Sequence, residues 1–149
     1  LNKLYEGMIK LPSIKLPATM ENLDQMLEFV LNGVGKFGII NNKSSLKKIK
    51  LICEEMLINI IDYGYPDGTG EVKITYTAVS AEEKVIIKII DSGVPFNPLL
   101  DYQEPDLSSS IEERDVGGLG IHIAKNVVDH MTYKRSNGQN ILTLVKFIN

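Results

Sequence analysis

This sequence predicts an α+β fold: a two-layer sandwich with helices on one face of a mixed, mainly antiparallel sheet. Three observations predict it. Residues 23–31 and 46–60 carry apolar side chains at helical spacing. Residues 72–78 and 85–90 read as adjacent strands, one alternating and one almost continuously apolar. Residues 131–135 and 141–148 flank a turn-forming Ser-Asn-Gly-Gln-Asn segment and read as a terminal hairpin.

The elements follow in order. Residues 1–13 are mixed and carry Pro12, which suits a loose arm or an edge strand. Ile14-Lys15-Leu16 alternates and stops at Pro17, a short strand. Thr19 is placed to cap the next helix, with Glu21 and Asp24 in its first turns. Leu23, Met26, Leu27, Val30 and Leu31 form its apolar side, and Gly33 and Gly35 are expected to end it. A second helix starts near Ser44 or Ser45. Its stripe is Leu46, Ile49, Cys53, Met56, Leu57 and Ile60, and it should stop by Gly64, ahead of Pro66. Residues 66–70 form a turn. In the next strand Val72, Ile74, Tyr76 and Ala78 face one way, with Lys73, Thr75 and Thr77 opposite. The apolar run from Val85 to Ile90 suits a central strand. Residues 92–116 show no period and read as a long loop, often a lid. A third helix opens at Gly117-Gly118-Leu119-Gly120 and runs to about His130.

At 149 residues the chain is one domain, expected over 14–149 behind an arm at 1–13. That length buries roughly 68–70% of the unfolded surface, enough for a core without staples. The net charge is −3 with no long basic run, which argues against nucleic acid as a partner. Cys53 is the lone cysteine, so no internal disulfide forms, and a buried thiol fits a reducing cytoplasm. No 18-residue apolar run and no signal peptide is visible, so no membrane span is expected. The first residue is Leu1 rather than Met, which leaves open a trimmed chain or one domain of a longer protein.

Three short segments carry chemistry. Glu55 and Asn59 are four residues apart on the second helix and share a face, with Asp62 a further turn on. Any amphipathic helix carries such a stripe on its solvated side. The same residue types also suit a Mg2+ site, because a hard ion takes oxygen ligands and keeps waters and phosphates. The Asn59 carbonyl could ligate it without adding charge, and the Glu55 carboxylate could deprotonate an attacking hydroxyl. Glu54 points about 100° away and is expected to be peripheral. Asp91 ends an apolar strand just before Gly93. It is either a turn-starting Asp or a carboxylate that accepts a bond from an exocyclic amine, with Gly93 allowing close approach. Gly117-Gly118-Leu119-Gly120 opens a helix, where free N–H groups and the dipole suit phosphate, or it is simply a hinge. It is neither a Walker A motif nor a dinucleotide fingerprint.

Taken in order, the Glu-x-x-x-Asn helix, the Asp-Ser-Gly-Val-Pro turn and the Gly-Gly-Leu-Gly helix start resemble the three nucleotide boxes of the Bergerat (GHKL) ATP-binding fold. Within it, Asp-Ser-Gly-Val-Pro-Phe-Asn-Pro and Gly-Gly-Leu-Gly-Ile-His-Ile-Ala-Lys-Asn resemble the bacterial anti-sigma-factor serine/threonine kinases. The resemblance covers roughly residues 14–148. It implies a cytoplasmic ATP-dependent serine/threonine kinase with Mg2+ as cofactor. Its partners would be a serine-bearing anti-sigma-antagonist protein and a sigma factor, and it would be a homodimer. It implies Glu55 as general base, Asn59 as Mg2+ ligand and Asp91 as the adenine-amine acceptor with Gly93 beside it. Gly118 and Gly120 would bind phosphate, flanked by Gly117 and Leu119, at the hinge of a lid over about 97–117. Asp62, Tyr63, Pro95 and Phe96 would line the same pocket. Pro95 stands where relatives often carry a second glycine, Tyr63 where they carry His, and Asn140 where a Thr often assists adenine binding. Arg114 lies further upstream of the glycines than the usual Arg. The alternatives are a catalytically weak, nucleotide-dependent protein-binding module, or the ATP-binding fragment of a larger kinase.

Overall fold

The structure, a computed structural model, describes residues 11–36, 43–99 and 126–147. Five strands form one sheet: β1 (Ser13–Pro17), β2 (Glu71–Val79), β3 (Lys84–Asp91), β4 (His130–Ser136) and β5 (Gln139–Phe147). Among the described residues two α-helices cover one face, α1 (Leu23–Lys36) and α2 (Lys43–Asn59). The strand order is β1-β2-β3-β5-β4. The α+β sandwich expected from the sequence is therefore present, and every pairing among the described residues is antiparallel.

The alternation of side chains decides which face is buried. Val72, Ile74 and Tyr76 of β2, Val85, Ile87 and Ile89 of β3, and Leu142 and Leu144 of β5 point into the core. Against them pack Met26, Val30 and Val34 of α1 and Ile49, Ile52, Cys53, Met56 and Leu57 of α2. Each fully buried aliphatic side chain contributes about 1.5–3 kcal/mol. β3 lies at the centre of the sheet, which is why its run from Val85 to Ile90 carries so little polarity.

Several local expectations shift. Thr19 does not cap α1 directly. It precedes a 3-10 turn, Met20–Asn22, and its side chain accepts a 3.1 Å bond from Asn22 Nδ2. Gly33 and Gly35 do not end α1, which continues through both to Lys36. Gly33 is there for packing: a Cβ would collide with the ring of Tyr76, which also meets Phe29 at 5.1 Å between centroids. The third helix ends by Val127, and His130 opens β4. The start expected at the glycine run lies outside the described residues. The terminal hairpin turns on Asn137 and Gly138, both at positive φ (50° and 75°), as a two-residue β-turn requires.

Candidate functional site

The site grows from two junctions. The first is the end of α2, where the helix widens into a π-helical turn, Ile60–Gly64. Such i→i+5 turns recur at functional sites. The second is the turn after β3, beginning at Asp91. Three contacts bolt them together. The Val94 N–H donates to the Gly64 carbonyl at 2.9 Å. Gly93 packs on that same carbonyl so closely that a Cβ would strike it. The Tyr65 hydroxyl donates to the Glu71 carbonyl at 2.6 Å and accepts from the Ser92 N–H at 2.8 Å. Burial raises the pKa of Tyr65, and the Asp91 and Glu71 carboxylates add to the rise against the opposing Ser92 bond.

Between the junctions lies a cleft of about 70 Å³, between the end of α2 and the inner face of the sheet. Room for one water takes about 10–15 Å³, so the space holds several waters or a flat ring. Its walls are mainly apolar, from Met56, Ile60, Val94, Phe96, Pro98 and Leu142. Polar groups enter it at Asn59, Asp91, Tyr133 and Asn140. This is the composition of a small-molecule site: apolar walls and a few fixed polar groups.

The polar groups are not equivalent. Asp91 is 6% exposed. Its Oδ1 accepts from the Gly93 N–H at 2.9 Å and from Asn140 Nδ2 at 2.9 Å. Its Oδ2 takes no hydrogen bond among the described residues. Asn59 Nδ2 is buried without a partner among the described residues. A buried orphan donor costs about 1–3 kcal/mol, so this atom marks a place where a ligand or water completes the site. A cation would take the Asn59 Oδ1 instead, since the Nδ2 donor cannot ligate one. Among the described residues no three His, Cys, Asp or Glu side chains cluster, and an Asn carbonyl beside phosphates and water is a sufficient protein share for this ion. The residues present therefore fit a Mg2+ that would take its remaining ligands from a bound phosphate and water.

The structure brings together Asn59, Tyr63, Asp91 and Phe96 in one cleft, with Gly93 behind it. Tyr63 is 61% exposed at the rim. Glu55 sits one turn before Asn59 but does not line the cleft. It is part-buried, and its pKa is raised by burial and then by the neighbouring Glu54 charge. Asp62 and Pro95 are exposed and lie outside the lining. For Asp62 the cause is the wider π turn, which changes the angular spacing beyond Asn59. Gly93 has a packing reason that its sequence context does not reveal: its missing Cβ faces protein, not ligand. Gly117, Gly118, Leu119 and Gly120, and Arg114 with the lid, lie outside the described residues. Sequence reasoning missed Gly64, Tyr65, Tyr133 and Arg135, whose guanidinium donates to the Gly93 carbonyl at 2.8 Å. Only the strand register brings the last two to the site, and no local motif marks them. Cys53 is inert: burial pushes its thiol up to about 12. No helix among the described residues is long and apolar enough to cross a membrane.

A family model described as a histidine kinase-like ATPase domain matches residues 16–146. The serine/threonine-protein kinase BtrW of Bordetella bronchiseptica is 27% identical over 96 residues, 64% of this chain and 66% of that protein. The serine-protein kinase RsbW of Bacillus subtilis is 23% identical over 143 residues, 91% of this chain and 84% of that one. The crystal structure of the RsbU and RsbW domains of Rv1364c from Mycobacterium tuberculosis superposes with a TM-score of 0.60 at 15% identity, over 92% of this chain and 32% of that one. The chain thus spans just under two thirds of BtrW and about a third of the mycobacterial chain.

Proposed function

This chain belongs to the histidine kinase-like ATPase domain family, and from that premise we propose that it binds Mg-ATP in the cleft beside Asp91 and passes the γ-phosphate to a serine on a small anti-sigma-antagonist protein. The observation that carries the reading is the buried Asp91, which lines the cleft and among the described residues is held by protein through Oδ1 alone. A carboxylate oxygen only accepts hydrogen bonds. It therefore asks for a donor, and the exocyclic amine of adenine is one. The serine-kinase names of BtrW and RsbW support the choice of acceptor.

In this reading Asp91 and Phe96 hold the base, with Gly93 setting the turn, and Tyr63 and Pro95 stand at the mouth. Asn59 gives its Oδ1 to Mg2+, which when bound neutralises phosphate charge. Gly117, Gly118, Leu119 and Gly120 offer backbone N–H groups to the phosphates, and Asp62 lies at the polar edge. The serine oxygen forms a bond to the γ-phosphorus as the bond to the β-bridging oxygen breaks. Glu55 takes the serine proton, and ADP leaves. Phosphoryl transfer rests mainly on positioning and charge stabilisation, so few side chains are required. A sigma factor is the expected second partner and a homodimer the expected assembly.

The test is a thermal melt with and without Mg-ATP, for the wild type, Asp91→Asn and Asn59→Ala, followed by phosphate transfer to a serine-bearing partner. The wild type should gain roughly 2.7 kcal/mol at a hundredfold excess over Kd, and Asp91→Asn should lose the gain. Asn59→Ala should lose its dependence on Mg2+. No nucleotide shift in the wild type would refute the binding site. One observation favours a second reading, a nucleotide-dependent protein-binding module with little catalysis: Glu55 stands outside the cleft lining. Binding without transfer would select it.

A further inference from the structure

Asn140 is directly opposite Asp91 in the β3–β5 ladder, and Arg135 is directly opposite Asn140 in the β4–β5 ladder. Tyr133, two residues before Arg135, shares the inner face. Directly opposite and diagonal pairs on one face are the ones that touch. Here they form a chain of hydrogen bonds. The Tyr133 hydroxyl donates to Asn140 Oδ1 at 2.6 Å. Asn140 Nδ2 donates to Asp91 Oδ1 and to the Val94 carbonyl, both at 2.9 Å. The Phe96 N–H makes a longer, 3.5 Å approach to Asn140 Oδ1.

The donor and acceptor count settles what Asn140 does. A carboxamide has two N–H donors and one oxygen with two lone pairs. Both donors and both lone pairs are engaged by protein. Asn140 has nothing left to offer a ligand, although it lines the cleft. The orientation of its amide is also decided. Reversed, its oxygen would face the Asp91 carboxylate and the Val94 carbonyl, acceptor against acceptor. The side chain therefore holds the turn from Asp91 to Phe96 at three points from β5. It ties up one carboxylate oxygen of Asp91 and leaves the other in a set direction.

We propose that Asn140, held in place by the Tyr133 hydroxyl, is a positioning residue that makes the site selective for a base bearing an exocyclic amine. It does so by presenting Asp91 Oδ2 as a fixed acceptor. The proposal rests on the cleft being an adenine-nucleotide site. Asn140 and Tyr133 touch no base donor themselves. They act by restricting where the Asp91 oxygen points, and a preset acceptor binds better because less order is lost on binding. Register makes the arrangement all-or-none, since a slip of one residue would turn Asn140 to the opposite face.

The experiment compares the affinities of Mg-ATP and Mg-ITP, which differ at the base by an amine against a keto oxygen. The wild type should prefer ATP by about tenfold or more, the size of one hydrogen bond to a charged group. Tyr133→Phe keeps the ring and removes one oxygen, and should cut the ATP-to-ITP ratio about threefold. Asn140→Ala should bring the ratio close to one. Melts without nucleotide establish that each variant is folded, and Tyr133→Phe decides alone if Asn140→Ala does not fold. A general loss of packing would weaken both nucleotides together and leave the ratio at its wild-type value. A ratio unchanged in the folded variants, with a clear wild-type preference, overturns the role of Asn140 and Tyr133 and spares the nucleotide site. A wild type that binds neither nucleotide overturns the site and this role together, whereas one that binds both equally keeps a nucleotide site and overturns the amine selectivity and this role.

Discussion

Gly93→Ala is the sharpest mechanical test of the site. The new methyl would enter the Gly64 carbonyl oxygen and lie 2.9 Å from Asp91 Oδ1. The first obstacle is backbone at the end of α2, so no side-chain rotation relieves it. Forcing in a methyl costs about 1–3 kcal/mol. The Val94 N–H to Gly64 carbonyl bond, 2.9 Å long, must stretch in response and gives up about 1 kcal/mol more. The expected destabilisation is therefore about 2–4 kcal/mol. At about 2.1 cal/mol/K per residue, unfolding 149 residues carries roughly 0.3 kcal/mol/K. The melting midpoint should fall by roughly 6–13 °C. The same push displaces Asp91, so ATP affinity should drop by about tenfold or more. Differential scanning calorimetry and nucleotide titration read both effects. Gly68→Ala is the control, because nothing lies within 4 Å of its Cβ. A Gly93→Ala protein that melts and binds ATP like Gly68→Ala would refute the bolted junction.

Other expected outcomes follow from neighbouring contacts. Gly33→Ala should destabilise by about 1–3 kcal/mol through the Tyr76 ring. Gly35→Ala, two residues on with open space at its Cβ, should stabilise α1 by roughly 0.5–1 kcal/mol, and paired melts check both. Tyr65→Phe keeps the ring that packs on Gly70 but removes both bonds of the hydroxyl. It should cost about 1 kcal/mol and weaken nucleotide binding through the Ser92 N–H, which titration would show. The raised pKa of Glu55 means that charging it opposes folding, so its effect grows as pH rises above the ordinary value of 4.5. Glu55→Gln should accordingly melt higher than the wild type at pH 7.5, lose that advantage near pH 4, and transfer no phosphate at either pH.

The local order of this chain was legible because it rests on local physics. Helical spacing at Leu23–Met26–Leu27–Val30 and at Ile49–Cys53–Met56–Leu57, alternation at Val72–Ile74–Tyr76, and an Asn-Gly turn each name one element and its buried face. The acid and amide that reach the cleft were legible too: Asp91 ends an apolar strand, and Asn59 shares a helix face with Glu55. What only tertiary structure decided is the company these residues keep. Asn140 lies 49 positions from Asp91, and Gly64 lies 29 from Gly93. Strand register and close packing, neither visible to a reading of neighbours along the chain, bring them together. The two helical glycines illustrate the limit: local rules make Gly33 a stop signal, yet the Tyr76 ring above it, 43 residues away, makes it a space. The widened turn at Ile60–Gly64 is of the same kind. Gly64 at its end accepts from the Val94 N–H of the Asp91 turn, and the turn leaves Tyr63 at the cleft and Asp62 in solvent.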